Sequence, residues 1–321
     1  MTSRPPLSRV ALARAEKARR RGERGVLGRL RDRVIRKATV KRYRAHIEEF
    51  FRWMRRQGLR IPARTPDFDL ICCSYAESLW EEGEAKSVLA NTLCGLQHEV
   101  PSLFRQLHGS WRLYGVWNRS EPQRRAPALD LTVTQGIAGF FAAQGQTRAA
   151  VCVLLSHHCC LRSAEMFEMR TGDFNFASSI CMLLLRDTKI GGRIGITEEV
   201  TVLDAFLLPR LRIAVRDTYP GDVIIGMTPA AFRAMWKQAV RALQLPGTVQ
   251  PYGLRRGGAT AWFQATNSFA KVAERGRWRA LQAMRLYITT AIQEWASMTL
   301  PQEVRNVCNK YGALLWKLPT R

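Results

Sequence analysis

The chain is poor in acid. Twenty-six Asp and Glu stand against 50 Lys and Arg, a formal charge of +24 over 321 residues. An excess of that size points to a polyanionic partner, nucleic acid first, with an anionic membrane surface as the competing reading. The membrane reading needs an amphipathic basic helix or an anchor, and the sequence has no lipidation motif. It also has no apolar run near the ~18 residues of a spanning helix. The N-terminus lacks the apolar core of a secretory signal, which predicts an intracellular protein.

Paired cysteines are missing too. Eight cysteines (Cys72, Cys73, Cys94, Cys152, Cys159, Cys160, Cys181 and Cys308) include no CxxC pair. Most sit in apolar runs, where a free thiol acts as a small hydrophobe. A reducing compartment fits them better than a disulfide framework. No internal repeat is visible.

What is present divides the chain. Residues 1–37 hold 11 Arg and 2 Lys against Glu16, Glu23 and Asp32, a net of +10. They read as a basic disordered arm: a solvated tail, a nuclear import signal or a DNA backbone contact. Apolar residues at helical spacing (Tyr43, Ile47, Phe50, Phe51, Met54) predict a helix over 39–57, capped by Thr39 and ended by Gly58. Further helices are expected over 68–82 and 84–100, with a short piece at 102–108. Residues 38–117 are thus a small helical domain. "NRSEPQRRAPALD" (118–130) reads as a linker, polar and broken by Pro122 and Pro127.

Beyond it, helices are expected over 132–143, 147–160, 230–243, 257–266, 280–298 and 303–315. The one clear β signal is a pair of apolar runs, 180–185 and 200–203, around a Gly-rich turn. The fold class is mainly α with a small β-hairpin or sheet. Its two parts are a helical N-terminal domain and a mixed α/β domain over 131–300, followed by a tail over 301–321.

"HHCC" (157–160) looks like a metal site and is not read as one. Neighbouring helical residues point about 100° apart, so four in a row do not converge on one ion, and zinc ligand pairs need wider spacing. The residues that follow carry more. "CLRSAEMFEMRTGDF" places Arg162 after an apolar helix and Glu165 three residues on. Far downstream come "VQPYGLRRGGATAWF", with Tyr252, Arg255 and Arg256, and "RGRWRALQAMRLYITT", with Trp278 nine residues before Tyr287. Lys189 lies in the turn "RDTKIGG", between the Arg162 segment and the Arg255 segment. Taken singly, these are ordinary: a surface Arg–Glu pair, a basic patch, a solvated lysine, two core aromatics.

Their order is not ordinary. Arg162, Lys189, Arg255, Trp278 and Tyr287 resemble the boxes of the tyrosine recombinase (phage integrase) family, in sequence and on the expected kinds of element. The resemblance spans roughly 38–300 and implies a helical core-binding clamp joined to a catalytic domain. It implies no metal, no ATP and no other cofactor. Tyr287 would attack a DNA phosphate to give a 3′-phosphotyrosine and a 5′-hydroxyl. Arg162 and Arg255 would bind the phosphate oxygens, Lys189 would protonate the leaving oxygen, and Trp278 would donate its indole N–H. Glu165 would hold Arg162 or its neighbours.

Two positions depart from the family pattern. Tyr252 stands where His is usual; with an ordinary pKa near ~10 it is a poor base at neutral pH. Arg256 stands where a second His is common and would be a further phosphate contact. Lys41, Arg42, Arg124 and Arg125 are the other expected DNA contacts.

The implied partner is double-stranded DNA, bound by a homo-oligomer, a tetramer on DNA, in the nucleus if the source is eukaryotic. "LRRGGAT" is closer to eukaryotic mobile-element recombinases than to bacterial chromosome resolvases. Three functions stay open: strand exchange in recombination or integration, DNA binding without catalysis, and type IB topoisomerase-like relaxation. The tail "VCNKYGALLWKL" has apolar spacing suited either to docking on a neighbouring protomer or to packing on its own domain.

Overall fold

The computed structural model describes residues 9–30, 34–122, 126–186, 197–280, 282, 284, 285, 288 and 300–318. The chain forms two compact units, Met1–Arg124 and Arg125–Arg321.

Among the described residues the first unit is helical: α1 (Arg9–Leu27), α2 (Lys37–Arg56), α3 (Thr65–Glu81), α4 (Lys86–Glu99) and α5 (His108–Ser120). The expected disordered arm is corrected by α1. Ala, Leu, Arg and Lys are strong helix formers, and Arg19 pairs with Glu16 at 2.6 Å and Glu23 at 2.5 Å on one helix face. The core gathers Phe50, Trp53 and Met54 of α2, Tyr75 and Leu79 of α3, Leu89 and Leu93 of α4, and Trp117 of α5. Helix α2 starts at Lys37, two residues before the expected cap Thr39.

Helix α5 is a second correction, because the sequence pattern placed only a short piece before it and a linker from 118. Its N-terminus has no cap of its own. Asp69 of α3 supplies it: Oδ2 accepts from the Gly109 N–H at 2.6 Å, and Oδ1 accepts from the Ser110 N–H at 3.1 Å and its hydroxyl at 2.6 Å. Asn118, Arg119 and Ser120 are therefore helical.

The second unit packs around two helices, α6 (Leu131–Ala143) and α7 (Thr147–His158). Asp130 caps α6 by accepting from the Val133 N–H at 2.8 Å. Helix α7 is buried almost all round, as its unbroken apolar run predicts. After a one-turn helix α8 (Ser163–Glu168) comes an antiparallel sheet in the order β1 (Phe174–Phe176), β2 (Cys181–Leu185), β3 (Glu198–Val202). The two expected runs pair in register, Leu183 opposite Val200, and β1 adds a third strand.

Helices α9 (Leu207–Arg216), α10 (Pro229–Ala242), α11 (Gly253–Thr266), α12 (Phe269–Gly276) and α13 (Gln302–Ala313) complete the described residues. Most of the helix expected over 280–298 lies outside them. The tail packs on its own domain: Val304, Cys308 and Leu315 join the core around α6. Buried Arg210 of α9 donates to the Leu315 carbonyl at 3.0 Å and lies 3.7 Å from the Phe206 ring centroid. The domain core thus extends beyond the expected boundary at residue 300.

Candidate active site

Three segments meet at the C-terminal end of α7. Helix α11 reaches it because Gly257 and Gly258 let backbone touch backbone: a Cβ on Gly258 would stand 1.8 Å from the His157 carbonyl oxygen. Cys160, just past α7, takes a left-handed conformation with φ +49°. Its carbonyl accepts from Nη1 of Arg255 on α11, and the Gly276 carbonyl at the end of α12 accepts from Nη2 at 2.7 Å. Arg255 is 2% exposed. Its guanidinium also meets the indole of Trp278, Cζ lying 4.2 Å from the ring centroid. The indole occupies a face of the cation, where the ring quadrupole is felt, while hydrogen bonds use its plane.

Arg162 enters from the third segment, immediately before α8. Nη1 donates to Glu165 Oε1 at 2.5 Å, and Nη2 donates to the Arg277 carbonyl at 3.4 Å. The adjacent carbonyls of Gly276 and Arg277 therefore hold the two arginines that the sequence pattern pairs, Arg255 and Arg162.

Glu165 is the hub. It accepts the Arg162 backbone N–H at 2.8 Å and Nη2 of Arg277 at 2.6 Å through Oε2. Burial alone would raise its pKa, but Arg277 and then Arg162 outweigh that and hold the carboxyl below its ordinary value. Glu198, the first residue of β3, stands 3.6 Å from Arg277 Nε and 3.8 Å from Arg162 Nη1. Arg255 is lowered from its ordinary value too, by burial first and then by Arg162 and Arg277. A guanidinium starts high enough to stay charged.

The remaining expected residues fall as follows. Tyr252 is exposed, directly before α11. Lys41 and Arg42 are exposed on α2 of the first unit. Arg256 is a correction: it is fully buried and donates to the Ala126 carbonyl. Successive helical residues point about 100° apart, so the residue next to Arg255 faces away from the site. Lys189, Tyr287, Arg124 and Arg125 lie outside the described residues.

Residues 157–160 belong to the core. His157 donates through Nε2 to the Leu129 carbonyl at 3.2 Å, and burial pushes its pKa down to about 4. Burial, then Arg275, brings His158 to about 4 as well. Burial raises the Cys159 thiol to about 12 and shifts Cys160 upward. Among the described residues, no group of three or more His, Cys, Asp or Glu is arranged to hold a metal ion.

Arg277 and Glu198 escaped the sequence reading. The available signal was an Arg between Gly276 and Trp278, where the family pattern runs Gly straight into His or Trp.

No protein-family profile and no curated protein matches the chain. Solved structures do. The XerH site-specific recombinase, bound to palindromic difH substrate in a post-cleavage complex, superposes with a TM-score of 0.52 at 14% identity, over 72% of each chain. The Tn1549 transposon integrase in complex with transposon right-end DNA gives a TM-score of 0.53 at 13% identity, over 88% of this chain and 98% of that one. The same integrase with circular-intermediate DNA gives 0.51 at 12% identity, over 79% of this chain and 99% of that one. The mainly helical architecture, the small antiparallel sheet and these likenesses together establish that the chain has the tyrosine recombinase fold.

Proposed function

We propose that this protein breaks and rejoins duplex DNA by site-specific strand exchange, through a 3′-phosphotyrosine on Tyr287. One observation carries the reading: Arg162 and Arg255 are secured on neighbouring carbonyls, with Glu165 fixing Arg162. Two guanidinium groups so held suit the equatorial oxygens of a phosphate that gains a fifth ligand, and they pay little reorganisation when the charge builds. Trp278, packed on Arg255, carries an N–H donor to the same place.

The chemistry runs in two steps. The Tyr287 phenol gives its proton to solvent as the Oη–P bond forms; the P–O5′ bond breaks, and the 5′-oxygen takes a proton from Lys189. A 5′-hydroxyl from another strand then gives its proton to Lys189 and attacks the phosphotyrosine; the Oη–P bond breaks, the diester is restored, and the Tyr287 phenolate regains a proton from solvent. The number of phosphodiester bonds is conserved, so neither ATP nor a metal is needed. Exposed Lys41 and Arg42, with Arg124 and Arg125, serve the duplex backbone. A charge of +24 makes the binding strongly salt-dependent. DNA-bound relatives of the fold, a site-specific recombinase and a transposon integrase, support duplex DNA as the substrate. A tetramer on DNA is the assembly this exchange requires.

The test uses nicked duplexes made from the source genome. The nick lets the short product diffuse away and traps the covalent adduct under denaturing conditions. An adduct in the wild type that is absent in Tyr287→Phe supports the reading, and sequencing the trapped DNA gives the site. Tight, salt-sensitive binding without an adduct in either protein returns the protein to the non-catalytic DNA-binding reading. Relaxation of supercoiled plasmid without strand exchange assigns it to the topoisomerase class.

A further inference from the structure

Arg277 occupies an unusual place. Its φ is +57°, the left-handed region that glycine favours and that few other residues adopt. It is nonetheless an arginine, 7% exposed at the side chain, and among the described residues its charge contacts are Glu165 and Glu198. Nη2 donates to Glu165 at 2.6 Å, Nε stands 3.6 Å from Glu198, and Nη1 donates to the Cys159 carbonyl at 3.3 Å. A residue that strains the backbone and carries a buried cation persists when its surroundings compensate for both.

The charges explain the arrangement. Among the described residues, Arg162 and Arg277 both stand within 4 Å of Glu165 and Glu198, and Arg255 feels the charge of Glu165. Three cations against two anions leave a net positive charge. Without Arg277 the count is two against two, and both carboxylates turn to Arg162. Their attraction would be spent inside the protein, at low dielectric, where Coulomb terms are largest.

We infer that Arg277 is a charge-balancing positioning residue: it neutralises Glu165 and Glu198 so that the cluster around Arg162 and Arg255 keeps a net positive charge for a phosphate. The inference rests on the reading of this site as a phosphate site. Arg277 itself does not touch the phosphate. The same element does two jobs, since the Arg277 carbonyl aims Arg162 while the side chain discharges its rivals.

The experiment follows the guanidinium Nε–H signals of Arg162 and Arg255 by NMR in the full chain, during titration with inorganic phosphate. The wild type is compared with Arg277→Gly, which relieves the left-handed backbone, and with Arg277→Gln, which keeps bulk without charge. Both variants are expected to need on the order of tenfold more phosphate for the same shift. Adding Glu198→Gln to either variant restores the net charge and brings the response back toward wild type, a rescue that a purely packing role does not produce. Variants that titrate like wild type, or a Glu198→Gln addition that rescues neither, overturn the inference while leaving the phosphate site standing. A wild type whose Arg162 and Arg255 signals ignore phosphate overturns both. Thermal unfolding of each variant confirms that the comparison is made between folded proteins.

Discussion

The indole of Trp278 lies over the guanidinium of Arg255, and Gly276 stands against both. The Gly276 carbonyl accepts from Arg255 at 2.7 Å, while a Cβ on Gly276 would fall 1.6 Å from Trp278 Cζ3. The contact admits no side chain. Gly276→Ala is therefore expected to expel the ring from Arg255. Overpacking of this kind costs about 1–3 kcal/mol, visible as a lower unfolding midpoint. Adduct formation on the nicked duplex should fall at temperatures where the variant is still folded. Gly276→Ala with Trp278→His makes room for the methyl and should regain stability. If the double variant is no more stable than the single one, the clash is not the cause.

Glu165 gives the protein an acid limit. Folding lowers its pKa from an ordinary value of 4.5. It therefore contributes stability at any pH above that value, and the contribution drains away as pH falls from 4.5 through the lowered folded value. Glu165→Gln removes this dependence and leaves Arg277, buried, and Arg162, partly buried, short of a counter-charge. Breaking one side of a buried pair typically costs about 3–5 kcal/mol. Chemical denaturation at pH 7 and pH 3 checks both points: the gap between wild type and variant should be large at pH 7 and narrower at pH 3.

Much of this was legible in the sequence, and the remainder has physical reasons for being hidden. The apolar period of α2 and the paired runs of β2 and β3 are local signals, and they found their elements. Helix α5 was misjudged because its cap, Asp69, lies some 40 residues earlier in the chain. Arg162, Glu165 and Arg255 were singled out by the order of their motifs, and the structure brings them together. Arg277 was not, because its partner Glu165 is 112 residues away and its role depends on a left-handed turn that no local pattern announces. Arg256 was misread for the opposite reason: adjacent arginines look alike in a motif, yet a helix turns them to different surroundings.

His157 sets a second pH dependence, in a different window. It is buried, donates to the Leu129 carbonyl, and has its pKa lowered from 6.5 to about 4. Between those values the unfolded chain binds a proton that the folded chain does not, so stability must fall as pH drops from 6.5 toward 4. The full effect for this one group is about 3 kcal/mol, and His158 adds to it in the same direction. His157→Gln retains a donor for the Leu129 carbonyl and removes the titration. Its stability should decline less between pH 6.5 and pH 4.5 than that of the wild type, measured by urea unfolding. An unchanged slope would mean that His157 is already protonated in the fold.

Arg256 and Arg42 make the last contrast, because both are arginines in a basic protein and only one is exposed. Arg256 is fully buried against the Ala126 carbonyl. Arg256→Met keeps the stem, removes the donor and leaves that carbonyl poorer by a bond, a loss of about 1–3 kcal/mol in stability. It should leave the salt dependence of DNA binding unchanged, since its guanidinium is turned to the Ala126 carbonyl and not to the cluster of Arg162 and Arg255. Arg42 is exposed on α2. If it meets the duplex backbone, Arg42→Ala should lower the slope of log affinity against log salt by about 1 and leave the unfolding midpoint nearly still. Binding isotherms at several salt concentrations, run beside thermal unfolding, separate the two. A reduced salt slope for Arg256→Met at full folding would return that residue to the DNA surface.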